Sequence, residues 1–260
     1  MIDLHCHILP GIDDGAKDIE ETLEMARIAV SEGIKHIICT PHYIQYSDYY
    51  NKSQVFDLVE AVNKKLAEES IELTLSAGHE VYLTPDLPKL VQEGEVSTLN
   101  NTQYILIEFP MNDIPIYAED VFYELKLMGL IPILAHPERY PMIIENPNLL
   151  LDYLKLGVLC QANVGSIRGF FGERVQETVI KLIEHQMIHF IATDAHTPRN
   201  RSPKVKKAFK EIESIDAALA HELFVENPLK VYKNELIEPK EPIEIIKKSF
   251  WKSLFSKRKR

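Results

Sequence analysis

Met1-Ile2-Asp3-Leu4-His5-Cys6-His7, running on to Gly11-Ile12-Asp13-Asp14-Gly15, opens the chain. An apolar run of strand character delivers two imidazoles at i and i+2, and on a strand such positions point to the same face. His5 and His7 can therefore grip one ion from one side. The Gly-bounded turn behind them holds two adjacent carboxylates. One of these ligates and the other orients a neighbour or the turn, and Asp14 is the favoured ligand. A single pair of histidines carries little weight by itself; the endings of the other strands decide whether it belongs to a metal site.

Reading outward, short β-rich runs alternate with amphipathic helical ones. Strands are expected at 2–5, 34–39, 71–77, 104–107, 131–135, 158–162 and 188–192. Helices are expected at 18–32, 53–69, 85–92, 116–128, 148–155 and 168–186, with two more at 203–213 and 215–225 closing the folded region. In the first helix Asp18 is the N-cap with Glu21 at N3, and Ile19, Leu23, Ala26 and Val30 recur at helical spacing. Unbroken strand–helix alternation indicates a parallel sheet, open or closed into a barrel. No Pro-, Ser- or Gly-rich linker interrupts it, so residues 1–235 form one domain and 236–260 a tail.

The informative regularity is at the strand ends. The first five strands and the seventh finish in His, Asp or Glu: His5/His7, His42, Glu80, Glu108, His136 and Asp194/His196. In parallel sheets and barrels, functional groups gather at the C-terminal edge, where the following loops converge. Imidazole and carboxylate without cysteine in matching positions favour manganese, iron, zinc or similar ions. The candidates exceed what one ion needs, so two or three ions are expected, with carboxylates such as Glu80 bridging. Arg139, just past His136, and Arg201, just past His196, are suited to bidentate phosphate binding, with Arg199 a competitor in the second loop. His36, His185, His189 and His221 read as core or surface histidines, and His79 should point away from its neighbour Glu80.

Composition narrows the class. A net charge of −10 argues against general nucleic-acid binding, and an anionic substrate would need local positive charge, which bound ions would supply. Three widely spaced cysteines without CxxC suit a reducing compartment. No transmembrane run and no signal peptide are read, so a cytoplasmic location is expected. Cysteine-based tyrosine phosphatases need Cys-x5-Arg, but the positions six past Cys6, Cys39 and Cys160 hold Ile12, Gln45 and Ser166. Walker A and GxSxG motifs are missing too.

IDLHCHILPGIDDG, EETLEMARIA, ICTPHY, GHEVY, ILIEFP, ILAHPERY, QANVGS and ATDAHTPRNRSP together resemble the polymerase-and-histidinol-phosphatase (PHP) superfamily. Within it the chain looks like the bacterial manganese-dependent tyrosine phosphatases of capsule and exopolysaccharide loci. The resemblance implies a distorted (β/α)7 barrel and a trinuclear centre, with Mn²⁺ preferred over Fe, Co or Zn. His5, His7, Glu80 and Asp194 would hold one ion, Glu80, Glu108 and His136 a second, and Asp14, His42 and His196 the third. Arg139 and Arg201 would bind phosphate. The implied substrate is phosphotyrosine, notably in the tail of a membrane-associated bacterial tyrosine kinase. The helix motif Glu20-Glu21-Thr22, with Arg27, would support a homo-oligomer; an ordinary solvated helix face is the alternative. The expected mechanism is in-line attack by a metal-bridging hydroxide, with phenolate a good enough leaving group that no general acid is assigned.

The tail changes character after Pro239: Ile243, Ile246, Phe250 and Leu254 interleave with lysines before a Lys257-Arg258-Lys259-Arg260 end. Such a segment can lie on an anionic membrane or an acidic partner surface, or be a solvated tail. Competing readings of the whole chain are a PHP phosphoesterase acting on a small monoester such as histidinol phosphate, a non-catalytic docking barrel, and an exonuclease-type barrel, the last disfavoured by charge.

Overall fold

The computed structural model describes residues 1–246. Its strands are β1 Ile2–Cys6, β2 His36–Cys39, β3 His42–Tyr43, β4 Thr74–Ala77, β5 Glu80–Tyr82, β6 Tyr104–Glu108, β7 Ile131–Ala135, β8 Leu159–Asn163 and β9 Phe190–Ala192. All pairings are parallel. One sheet runs β1-β2-β4 and the other β3-β5-β6-β7-β8-β9. An isolated parallel bridge, Cys6 to Ala195, ties the first strand to the last. His7 N–H donates to Ala195 O at 2.8 Å, and Asp194 N–H to His5 O at 2.8 Å. The fold is a mixed α/β assembly whose strands follow one another in chain order.

Nine strands replace the seven read from the sequence because two staves break in the middle. The stave expected at 34–39 stops at Thr40-Pro41, where proline has no N–H for the ladder, and resumes as β3. The stave expected at 71–77 breaks at Gly78-His79 and resumes as β5. A Cβ on Gly78 would sit 3.0 Å from both Ile38 Cγ2 and Leu99 Cδ2, so only glycine leaves the neighbours in place. Each break re-aims the chain where a site residue, His42 or Glu80, begins the next strand.

Alternate strand residues feed different apolar clusters. Leu106, Ile133, Ala135, Leu159, Phe190 and Ala192 share one with Ile2 and Leu4. Ile105, Ile107, Leu134, Cys160 and Ala162 join the cluster formed with the helices. Near-continuous apolar strands are what a sheet buried on both faces requires. Asp18 Oδ1 accepts from Glu21 N–H at 2.9 Å and starts the helix Ile19–Ser31, a cap that contributes about 1 kcal/mol.

Two helix expectations are corrected. The helix read at 168–186 begins only at Glu173 and ends at Glu184, and a separate short helix, Val164–Ile167, precedes the expected span. Between them Gly169 and Gly172 take φ of +74° and +94°, conformations closed to most residues. The helix read at 215–225 runs on as Ala217–His221, a π turn at Glu222–Glu226 and Asn227–Tyr232. Pro228 cannot donate to the carbonyl one turn back, and the wider turn carries the helix past it. This last helix covers the N-terminal end of β6: Asn100 Nδ2 donates to Tyr232 O, and Tyr104 Oη to Glu235 O. Beyond it the backbones of Ile243 and Ile245 bond to His185 O and to the Asn148 side chain. Phe250, Leu254 and the basic end lie outside the described residues.

Candidate metal centre

At the C-terminal strand ends, four ligand atoms converge. His5 Nε2 lies 3.2 Å from His7 Nε2, 3.2 Å from Glu80 Oε2 and 3.5 Å from Asp194 Oδ1. His7 Nε2 lies 3.3 Å from the same glutamate oxygen and 3.5 Å from the same aspartate oxygen. Both imidazoles have their other nitrogen committed. Gln161 Nε2 donates to Ala162 O and Asn163 Oδ1, so Gln161 Oε1 is left to accept from His5 Nδ1–H at 2.8 Å. His7 Nδ1–H donates to Asp13 Oδ2 at 2.7 Å. Neutral His5 and His7 therefore aim two lone pairs, alongside two carboxylate oxygens, at one point. Only a cation or a proton resolves that arrangement.

Two further groups adjoin the first. His42 Nδ1 lies 3.2 Å from Glu80 Oε2 and 3.0 Å from Glu108 Oε1, and His136 Nε2 lies 2.8 Å from Glu80 Oε1. Asp14 Oδ1 lies 3.5 Å from His42 Nε2 and 3.2 Å from His196 Nε2. One ligand atom each from His7, Asp14, His42 and His196, from His5, His7 and Glu80, and from His42, Glu80 and Glu108 fits within the span of an ion's coordination shell. Glu80 Oε2 and His42 Nδ1 are buried without a hydrogen-bond partner. These orphaned atoms and the N/O donor set fit divalent ions, which coordinate such donors at about 2 Å.

Every residue read from the sequence as a site residue is thus brought to this one edge: His5, His7, Asp14, His42, Glu80, Glu108, His136, Asp194 and His196, with Arg139 and Arg201 beside them. Arg139 Nη1 and Arg201 Nη2 both pair with Asp194 Oδ2, at 3.2 and 2.6 Å. Arg199, the competitor, turns outward and pairs with Glu21 at 2.8 Å. The two aspartates of the opening turn separate. Asp13 holds His7 and accepts from Gly15 N–H at 2.9 Å, while Asp14 faces His42 and His196.

Electrostatics follow from this crowding. Burial pulls His7 down, but the Asp13 charge and hydrogen bond overcome it and lift His7 to about 9. Burial likewise opposes protonation of His42, yet the facing Asp14 and Glu108 carboxylates raise it to about 12. Burial pushes Glu80 and Asp194 up, and the His5 charge, with other neighbours, carries both well below the carboxylate range. The centre is a negative well that draws cations. By contrast, burial holds His79 and His189 down at about 4. Each has a ring nitrogen accepting a backbone N–H, from Ser97 and Cys160 respectively. The three cysteines are free and buried, and burial raises their thiols, which leaves them poor nucleophiles.

Sequence reasoning passed over the sixth stave because it ends in amides. Gln161 and Asn163 are nevertheless an i, i+2 pair like His5 and His7. Asn163 Nδ2 donates to Asp194 Oδ2 at 2.6 Å, so the two amides link His5 to Asp194. That spacing was the available signal. Asp3 was also missed: it takes Thr193 N–H and Oγ1–H and fixes the turn that delivers Asp194. His136 and Asp194 sit at φ of 35° and 49°, left-handed conformations uncommon outside glycine. Such strain persists where surrounding contacts over-determine the backbone.

The fold and this edge define an α/β protein with a candidate polynuclear metal centre flanked by arginines. The chain belongs to the capsular polysaccharide synthesis family CpsB/CapC, whose sequence profile matches residues 1–233. It is 38% identical over 246 residues to the tyrosine-protein phosphatase YwqE of Bacillus subtilis (strain 168), covering 94% of this chain and 97% of that one. Its structure matches, at a TM-score of 0.92 and 38% identity, one from crystallographic work on YwqE from Bacillus subtilis and CpsB from Streptococcus pneumoniae, described as metal-dependent tyrosine phosphatases; the match covers 95% of this chain and 100% of that one. The lactonase Lmo2620 of Listeria monocytogenes, at 13% identity and a TM-score of 0.53 over 90% of this chain and 95% of that one, shares the fold alone.

Proposed function

We propose that this chain is a metal-dependent protein-tyrosine phosphatase of capsule or exopolysaccharide synthesis. The observation that carries this is the convergence of His5 Nε2, His7 Nε2, Glu80 Oε2 and Asp194 Oδ1 beside two arginines that share one carboxylate. Kinship with YwqE supports the choice of phosphotyrosine over other phosphomonoesters. Bound divalent ions would supply Lewis-acid polarisation of the phosphoryl oxygens and a water acidic enough to attack.

The chain's own groups do the rest. His5, His7, Glu80 and Asp194 would hold one ion, Glu80, Glu108 and His136 a second, and Asp14, His42 and His196 a third. Gln161 and Asp13 keep the Nε2 lone pairs of His5 and His7 presented. Arg139 and Arg201 would give part of their hold on Asp194 to the phosphoryl oxygens, binding charge that grows in the transition state. Mn²⁺ is the ion proposed, on the hard oxygen and imidazole donor set. The phosphoprotein would be a membrane-associated tyrosine kinase.

A homo-oligomer through the helix Ile19–Ser31 is also proposed; Glu20 is the motif residue left exposed for it, while Glu21 pairs with Arg199, Thr22 is buried and Arg27 pairs with Glu69. Among the described residues no helix is long and apolar enough to cross a membrane; contact of residues 236–260 with a membrane surface is a proposal.

The test is hydrolysis of a phosphotyrosine peptide, a phosphoserine peptide and histidinol phosphate with Mn²⁺, before and after chelation. Preference for the first, lost on chelation, is expected. Arg139→Ala should lower turnover by about 100-fold with metal content unchanged; undiminished turnover would remove Arg139 from the site.

A further inference from the structure

Beside the centre, a groove of about 520 Å³ is lined by Arg168, Phe170, Phe171, Arg199, Asn200, Arg201, Ser202 and Lys204, four of them cationic and none acidic. In a chain of net charge −10, such a face needs an explanation. Arg199 is spent on Glu21, but Arg168 and Lys204 have no carboxylate within ion-pair distance among the described residues. Arg168 instead lies over the Phe170 ring at 4.8 Å, and Phe170 is 52% exposed. A large exposed aromatic capped by an unpaired guanidinium marks a contact surface more than a solvated loop.

The groove is continuous with the site. Arg201 lines it and also pairs with Asp194, and Phe171 carries the Arg139 guanidinium 4.6 Å from its ring centre. The loop is built to hold this arrangement. Phe170 N–H donates to Gly165 O, Gly172 N–H to Gly169 O, and Gln176 Nε2 to Ile167 O. A Cβ on Gly165 would come within 2.9 Å of Phe171 Cε2, so glycine there admits the ring.

We propose that this groove receives the polypeptide flanking the phosphotyrosine, and that it selects acidic residues there: the two phenyl faces take side-chain stems, while Arg168 and Lys204 pair with Asp or Glu. This rests on the phosphatase reading and specifies its substrate class. Neither cation is within ion-pair distance of a ligand carboxylate among the described residues, but both line a small cavity with Asp194 and Arg201, so their charge is assigned to peptide selection.

The experiment compares kcat/KM on para-nitrophenyl phosphate, on a phosphotyrosyl peptide flanked by Asp and Glu, and on the same peptide with Asn and Gln. Wild type and Arg168→Gln/Lys204→Gln are assayed at low and high salt. The wild type should favour the acidic peptide by about threefold to tenfold, the range for two exposed charge pairs. High salt should shrink that preference. The double variant should lose it while keeping para-nitrophenyl phosphate turnover within about twofold. Equal rates on both peptides in the wild type, or a preference that survives in the variant, would overturn the groove's assignment. Hydrolysis of para-nitrophenyl phosphate with neither peptide cleaved would instead count against the phosphotyrosine reading itself.

Discussion

Asp13 and Asp14 are adjacent in sequence and face different partners. Asp13 Oδ2 takes the Nδ1–H of His7, whereas Asp14 Oδ1 faces His42 and His196. Asp14→Ala should lower the number of bound ions per chain, measured by elemental analysis after dialysis. Asp13→Asn should keep that number and weaken affinity by about 10- to 100-fold, the usual cost of losing the partner that orients a ligating histidine. Equal stoichiometric losses in both would contradict the division. Asp3 gives a pH prediction. Burial pushes it up to about 6 against the pull of its Thr193 hydrogen bonds, from an ordinary value near 3.8. The folded chain thus holds this proton more tightly than the unfolded chain does. The resulting penalty is absent below about pH 4, grows as pH rises toward 6 and persists above, reaching at most roughly 3 kcal/mol. Asp3→Asn, which keeps an oxygen for Thr193 N–H, should gain stability on the wild type over that window in urea unfolding of chelated protein. A difference that does not change with pH would mean that Asp3 does not titrate there.

At the scale of elements, the turn at residues 11–15 connects a strand to the centre. Ala16 N–H donates to His7 O at 3.1 Å, and a Cβ on Gly15 would collide with that same carbonyl. Gly15→Ala should displace both aspartates, costing about 1–3 kcal/mol and at least tenfold in metal affinity. Gly94→Ala is the control. Its φ is +77° but nothing lies within 4 Å of the added carbon, so it should cost about 1 kcal/mol without touching metal binding. Matching affinities in the two variants would show that the turn does not set the site. Strand periodicity ended two strands at Thr40-Pro41 and Gly78-His79 but could not reveal that pairing resumes at His42–Tyr43 and Glu80–Tyr82, because runs of two or three residues carry no readable period. The helix read at 168–186 failed for a related reason. Its apolar spacing is sound from Val175 onward, but Gly169 and Gly172 impose a turn first.

For the whole molecule, the residues after the last helix matter more than a tail would. Ile245 exchanges two hydrogen bonds with the Asn148 side chain, and Ile243 N–H donates to His185 O at 2.9 Å. Ending the chain at Pro239 removes these bonds and the packing of Ile245, but leaves the helix Asn227–Tyr232 in place. A fall in Tm of about 2–4 °C for each kcal/mol lost is expected, with metal stoichiometry unchanged. Sedimentation with anionic vesicles on the same samples separates membrane docking from this structural part. Loss of metal from the truncated chain would show that the segment supports the site.

The residues themselves determined much here. Strand–helix alternation prescribed a parallel sheet, since such crossovers can only join parallel neighbours, and His, Asp and Glu at strand ends were legible because parallel strands bring those ends together. The eight motif stretches carried the family. What pairs with what was decided only in three dimensions. The bond of Asp13 to His7, the amide relay from Gln161 through Asn163 to Asp194, the two arginines on one carboxylate and the cationic groove all join residues from different staves or loops. Their distances depend on sheet twist and loop closure, which no periodicity encodes.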